Sequence, residues 1–206
     1  MSETWLILGA SSAMARALAR AVADEGAGVL LAGRDMADLE AQATDCGLRG
    51  APVAEAVTFD ARDPAGFEAI KARAEATEGL LNIAVFVGSM PPQDEIDADP
   101  ALIDGTVCDS FTGPARLIQM LAPVIEARCG GTVVGVGSVA GDRGRIGNYV
   151  YGGRQGGVSH LPIGIAQPPD AFGRACGDGK AGVRGHGHDL GAGGDVPGGA
   201  PRKGGK

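Results

Sequence analysis

The sequence predicts an α/β fold, a doubly wound parallel sheet with helices on both faces. Two observations predict it. Short apolar runs of strand length alternate with segments of helical period. Residues with chemical potential also recur just past the ends of those runs, where open parallel sheets place their ligands. A third observation limits the prediction. The last quarter of the chain loses both periods, so the C-terminal part is expected to be incomplete or disordered.

The elements follow in order. Thr4–Leu8 is a first buried strand ending at Gly9, and Gly9-Ala-Ser-Ser-Ala-Met-Ala15 is a turn of small residues. Helical spacing then covers Arg16–Ala23. Strand, small-residue turn and helix together bring backbone N–H groups and a helix N-terminus against a phosphate-bearing ligand. Gly9, Ser11, Ser12 and Met14 are the cofactor-binding positions this turn offers. An ordinary tight turn is the alternative. The second strand, Gly28–Ala32, leads through Gly33 to Arg34. An arginine here suits a 2′-phosphate, which favours NADP with NAD as the second choice. The plain alternative is a solvated arginine, with Asp35 as N-cap of a helix over Met36–Thr44.

Ala56–Phe59 is a third strand ending at Asp60, whose carboxylate suits an adenine amino group. A helix from Pro64 to Ala76 follows, with proline in its first turn. Asn82–Val87 is the fourth strand, and Gly88-Ser89 lets the backbone approach a cofactor. Pro91–Pro100 reads as a loop. A long helix covers Ala101 to Arg128, with breaks expected at Gly113-Pro114 or Pro123. Thr132–Val136 is the fifth strand and delivers Ser138. Gly9, Arg34, Asp60, Gly88 and Ser138 therefore share the carboxyl ends of the strands. Thirteen residues beyond Ser138 stands Tyr151. Taken singly, Ser138 reads as a cap and Tyr151 as a packing aromatic; their spacing on such a scaffold points to a catalytic pair.

From Thr4 to Gly152 the chain resembles the short-chain dehydrogenase/reductase family, which implies a Rossmann-like, NAD(P)-binding domain over residues 1–152. The resemblance rests on the Gly9 turn, although Ala13 and Ala15 replace its usual later glycines. It also rests on Asp60, the Gly88 turn and the Ser138/Tyr151 spacing. It implies Tyr151 as general acid, Ser138 as a hydrogen-bond donor to the same oxygen, a small carbonyl or alcohol substrate, and a homo-oligomer. Two positions depart from it: Gln155 stands where the family has a lysine, and Ser110 where it has an asparagine. The segment Ser138–Tyr151 is also similar to a bacterial subgroup that reduces polyprenyl-linked keto-sugars, so a keto-sugar-like substrate is implied.

Composition breaks at the same place. Residues 1–152 carry 11 Lys+Arg against 21 Asp+Glu, a net of −10, whereas 153–206 carry 7 against 4, a net of +3. Half of the 36 glycines and all three histidines lie from Gly152 onward. Residues 153–206 therefore form a separate Gly-rich segment, disordered or out of frame. The genetic code favours a frameshift. Read one base later, Gly153-Arg-Gln-Gly-Gly157 permits Ala-Ala-Lys-Ala-Gly, which puts a lysine at position 155. Asp178–Asp189 likewise permits Thr-Val-Lys-Pro-Gly-Phe-Val-Asp-Thr-Ala-Met-Thr. That string resembles the family's next strand and Pro-Gly turn. The helix that in the family packs subunit against subunit would then be lost, which puts the homo-oligomer in doubt.

The net charge of −7 argues against nucleic-acid or membrane-surface partners. No apolar run reaches the roughly 18–20 residues of a membrane span, and no signal peptide is evident, so a cytoplasmic location is expected. The four cysteines lack metal-ligand spacing and read as free thiols. No metal is expected, and His186-Gly-His188-Asp189 reads as an accident of codons. The expected function is NAD(P)-dependent interconversion of a carbonyl and an alcohol, with activity impaired. The alternatives are a non-catalytic dinucleotide-binding protein and an inactive frameshifted product.

Overall fold

The computed structural model describes residues 2–165, with side chains as far as Gly157. Five parallel strands form one sheet: β1 (Glu3–Leu8), β2 (Gly28–Gly33), β3 (Ala54–Thr58), β4 (Leu80–Val85) and β5 (Val133–Gly135), in the order β3-β2-β1-β4-β5. The chain runs outward from β1 to β3, then crosses back to β4. The topological switch point therefore lies between β1 and β4. In register, Leu6 sits between Leu30 and Ile83, and Leu8 between Ala32 and Val85.

The period of two along β1 feeds two cores. Leu6 and Leu8 face one layer, with Phe67 and Ile70 of α3 (Phe67–Ala76) and Leu117 and Leu121 of α6 (Gly113–Ala127). Ile7 faces the other, with Ala15 and Ala19 of α1 (Ala13–Asp24) and Leu39 of α2 (Met36–Arg49). Because both faces are covered, the strands are near-continuously apolar, as buried parallel strands require. Arg128, just past α6, ties the α3–α6 layer together. It donates to the carbonyl oxygens of Ala74 and Thr77 at 2.6 Å each, so a cation meets the C-terminal end of α3, where the helix dipole favours one.

Several boundaries differ from the expectation. β3 and β4 begin and end earlier; Phe59 and Phe86 make a last backbone bond each, to Gly33 O and Leu8 O at 2.8 Å, as the chain leaves the sheet. Residues expected as a loop include a short helix, α4 (Gln93–Ala98), with Asp94 and Glu95 in its first turn. The long helix is not broken at its prolines. α5 (Leu102–Val107) runs into a π turn at Cys108–Thr112 and on into α6. The wider turn comes just before Pro114, which has no N–H to donate and would crowd the carbonyl four residues back. Pro123 is accommodated inside α6.

The largest difference lies after Tyr149, where no helical period was expected from Gly153 onward. A helix, α7 (Tyr149–Ile165), crosses that point. Tertiary packing overrides poor propensity here. A Cβ on Gly152 would lie 2.6 Å from the carbonyl oxygen of Ala140, and one on Gly141 would lie 2.7 Å from the nitrogen of Gly156. Glycines let α7 press its backbone directly on the turn that follows β5. The segment Asp178–Asp189, with His186 and His188, lies outside the described residues. Cys46 and Cys108 carry free thiols as expected, whereas Cys129 is disulfide-bonded. Among the described residues, no helix is long and apolar enough to cross a membrane, and no cluster of three acidic, histidine or cysteine side chains is placed to hold a metal.

Candidate active site

All five strand exits open at one edge of the sheet. Gly9 follows β1 with φ of +79°, a left-handed backbone that suits glycine. A Cβ there would lie 3.0 Å from the carbonyl carbon of Phe86, so the β1 exit packs bare backbone against the β4 exit. The Gly9 and Ala10 amides donate to Ala32 O at 2.8 and 3.1 Å, tying the turn to β2. Ser12 caps α1 by accepting from the Ala15 amide at 3.2 Å, and no acidic residue occupies the first turn of that helix. Ser11 and Met14 are exposed beside it. The positive end of α1 thus faces the switch-point crevice without a competing carboxylate.

Arg34 is exposed at the β2 exit. Asp35 caps α2, accepting from the Asp38 amide at 3.2 Å, so the plain alternative for that residue holds. Asp38 itself is held bidentately by Arg16 at 2.8 and 2.7 Å and belongs to the α1–α2 contact. Asp60, half-buried at the β3 exit, accepts from the Arg62 amide at 2.9 Å. Gly88 is exposed, and a Cβ there would lie 3.3 Å from Ser110 Oγ and 3.9 Å from Gln155 Nε2. The β4 exit, the π turn and α7 therefore meet at one point.

Ser138 follows β5. Its hydroxyl oxygen accepts from the Ala140 amide at 3.2 Å, capping a one-turn helix over Val139–Gly141. That cap fixes Oγ while leaving its own proton free to be donated. The same turn is the surface on which α7 packs, and α7 carries Tyr151, half-buried. The neighbouring Tyr149 is different. It is exposed and donates to Asp97 at 3.1 Å, and that carboxylate pushes its phenol above the ordinary value.

Sequence reasoning missed one residue. Arg154 is 6% exposed, with its guanidinium 4.6 Å from the centre of the Tyr151 ring. It donates to the Thr106 carbonyl at 3.2 Å, and also to Ser110 Oγ and the Ser89 carbonyl. Burial pulls Arg154 below its ordinary value, while Tyr151 and Asp109 act the other way. A helix through Tyr151 puts residues three apart on one face, but a glycine-rich stretch read without helical period concealed that spacing. Gln155, beside it, is 5% exposed.

Asp109 lies in the π turn and is gripped by Arg62 at 2.6 and 2.7 Å. Burial alone would push its carboxyl up, but the Arg62 bonds help hold it below the ordinary value. A depressed carboxylate stabilises the fold above its unfolded value, about 3.9, and that stabilisation is lost as pH falls through the folded value. Asp109→Asn is therefore expected to lower the denaturant midpoint at neutral pH. The gap from the parent should close in the acid range; a gap independent of pH would refute the pairing.

Residues 3–168 match the sequence profile of the short chain dehydrogenase family. The chain belongs to that family. An uncharacterized oxidoreductase of Mycobacterium tuberculosis is 32% identical over 162 residues, covering 78% of this chain and 65% of that protein. A sulfoacetaldehyde reductase of Chromohalobacter salexigens is 29% identical over 157 residues, covering 74% and 60%. Among solved structures, a putative short-chain alcohol dehydrogenase from Sinorhizobium meliloti superposes with a TM-score of 0.74 at 25% identity, covering 83% of this chain and 68% of that one. This member of the family thus spans a little under two thirds of the length of the curated relatives it matches.

Proposed function

We propose that the protein is an NAD(P)-dependent oxidoreductase that interconverts a carbonyl and an alcohol, with Tyr151 and Ser138 as its catalytic pair. The observation that carries this reading is the packing of α7, which bears Tyr151, on the turn capped by Ser138, at the edge where the strands end. The relatives named as oxidoreductase and reductase support the reaction class. A dinucleotide fits the crevice: bare backbone meets at Gly9 and Phe86, and α1 points an unopposed positive end into it. Gly9, Ser11, Ser12 and Met14 would hold the diphosphate, Arg34 a 2′-phosphate, Asp60 the adenine and Gly88 the backbone side of the cofactor. When bound, the nicotinamide supplies or accepts hydride. Tyr151 gives its phenolic proton to the substrate oxygen, and Ser138 donates a hydrogen bond to the same oxygen as charge develops on it.

Two finer points belong to this reading. NADP is preferred over NAD, because Arg34 offers a planar donor pair to a phosphate and no carboxylate follows β2 directly. Arg34→Ala is expected to weaken NADPH binding about tenfold or more while leaving NADH within about twofold; equal loss for both would refute the role. The substrate class is a keto-sugar or similar polar ketone, on the strength of the Ser138–Tyr151 segment. Loss of reduced-nicotinamide absorbance over a carbonyl panel that includes keto-sugars tests the reaction, and no turnover on any member refutes it.

The segment from Gly153 onward is proposed to be out of frame with residues 1–152. The shifted reading permits a lysine at position 155, where the chain now buries a neutral amide. Sequencing the coding DNA over codons 150–156 decides it: a shifted frame without a lysine codon there ends the idea.

A further inference from the structure

We infer that Arg154 is a positioning residue for Tyr151, supplying from beneath the ring the positive charge that Gln155 lacks. The inference rests on the catalytic reading of Tyr151. A guanidinium this deep must recover its lost hydration from neighbours. Arg154 finds three acceptors, from α5, the π turn and the β4 exit, and spends its remaining face on the Tyr151 ring at 4.6 Å. Its Nε has no partner, so the group is held chiefly by its two terminal nitrogens and the ring.

This arrangement does two things. It fixes the tyrosine from below, joining it to the three segments that border the crevice. It also places a permanent cation against the group that carries negative charge when its proton leaves. The segments packed on α7 carry Asp104 on α5, Cys108 and Asp109 on the π turn and Arg116 on α6. Asp142, Arg143 and Arg145 flank the turns between β5 and α7. Of these, Asp109 acts on Arg154, and Arg62 already binds it at 2.6 Å. Among the described residues, Arg154 is the cation that lies against the ring.

The test needs no turnover. The chain has two tyrosines, so Tyr149→Phe leaves Tyr151 as the sole phenol in an absorbance titration. Adding Arg154→Gln or Arg154→Met is expected to move the titration midpoint to higher pH, while Arg154→Lys holds it near that of the Tyr149→Phe parent. Methionine keeps much of the stem and brings no polar group of its own into the site, so it serves if the glutamine variant does not fold by circular dichroism. It does leave the Thr106, Ser110 and Ser89 acceptors without this donor. A midpoint unmoved in a folded Gln or Met variant overturns the inference. Where turnover is measurable, the same variants should lower kcat with KM nearly unchanged and shift the pH profile, with rescue by lysine. Absent turnover together with a shifted midpoint would count against the catalytic reading and leave the Arg154 assignment standing.

Discussion

Deleting one base within the Gly152–Gly153 codons is expected to raise carbonyl turnover by about 10²-fold or more, the scale of a correctly poised proton donor. The deletion does two things at once. On the proposed frame it would place a lysine at position 155, and it would remove Arg154 from the pocket between Ser89, Ser110 and Tyr151. Gln155→Lys alone should recover much less. Residue 155 is 5% exposed and Arg154 is 6% exposed, so the single substitution would bury a second cation beside the first at a cost neither can offset. On the frame-restored chain, Tyr151→Phe should take turnover to or below the present level while NADPH affinity holds. A restored chain no more active than the present one would sink the frame proposal.

Phe67→Ala is expected to remove about 3–5 kcal/mol of stability. Phe67 is 1% exposed and stacks on Phe59 with ring centres 5.6 Å apart. It stands where α3 meets the core that Leu6, Leu8 and Ile83 also line. A domain of this size holds about 5–15 kcal/mol in all, so the variant should unfold at much lower denaturant. A loss under about 1 kcal/mol would mean that the cavity refills and that the layer is loosely packed.

The sheet was legible in the sequence because buried parallel strands announce themselves as apolar runs, and Leu6, Leu30 and Ile83 need no distant partner to be recognised. The strand exits were legible for the same reason: position along a run fixes which end a residue occupies. What escaped was set by contacts far apart in the chain. The π turn at Cys108–Thr112 looks like plain helix until its widened pitch is seen before Pro114. The first turns of α7 are written in glycine, whose propensity argues against a helix, and only the nearness of Ala140 and Gly141 explains why one forms there. Arg154 was hidden with that helix, since a lone arginine among glycines reads as solvated until its three acceptors are in place.

The sheet order also gives the site two halves of unequal firmness. β1 is paired on both sides, along five positions with β2 and six with β4, whereas β5 meets β4 at three. Opening costs most where ladders are long and flanked on both sides. The half proposed to hold the nucleotide, built on the β1 and β2 exits, should therefore stay closed through fluctuations that free the serine-bearing rim. In native-state hydrogen exchange the amides of Val133–Gly135 should report first and those of Leu6–Leu8 last. On the proposed reading, a protein so built would lose its chemistry by local breathing while still gripping the dinucleotide.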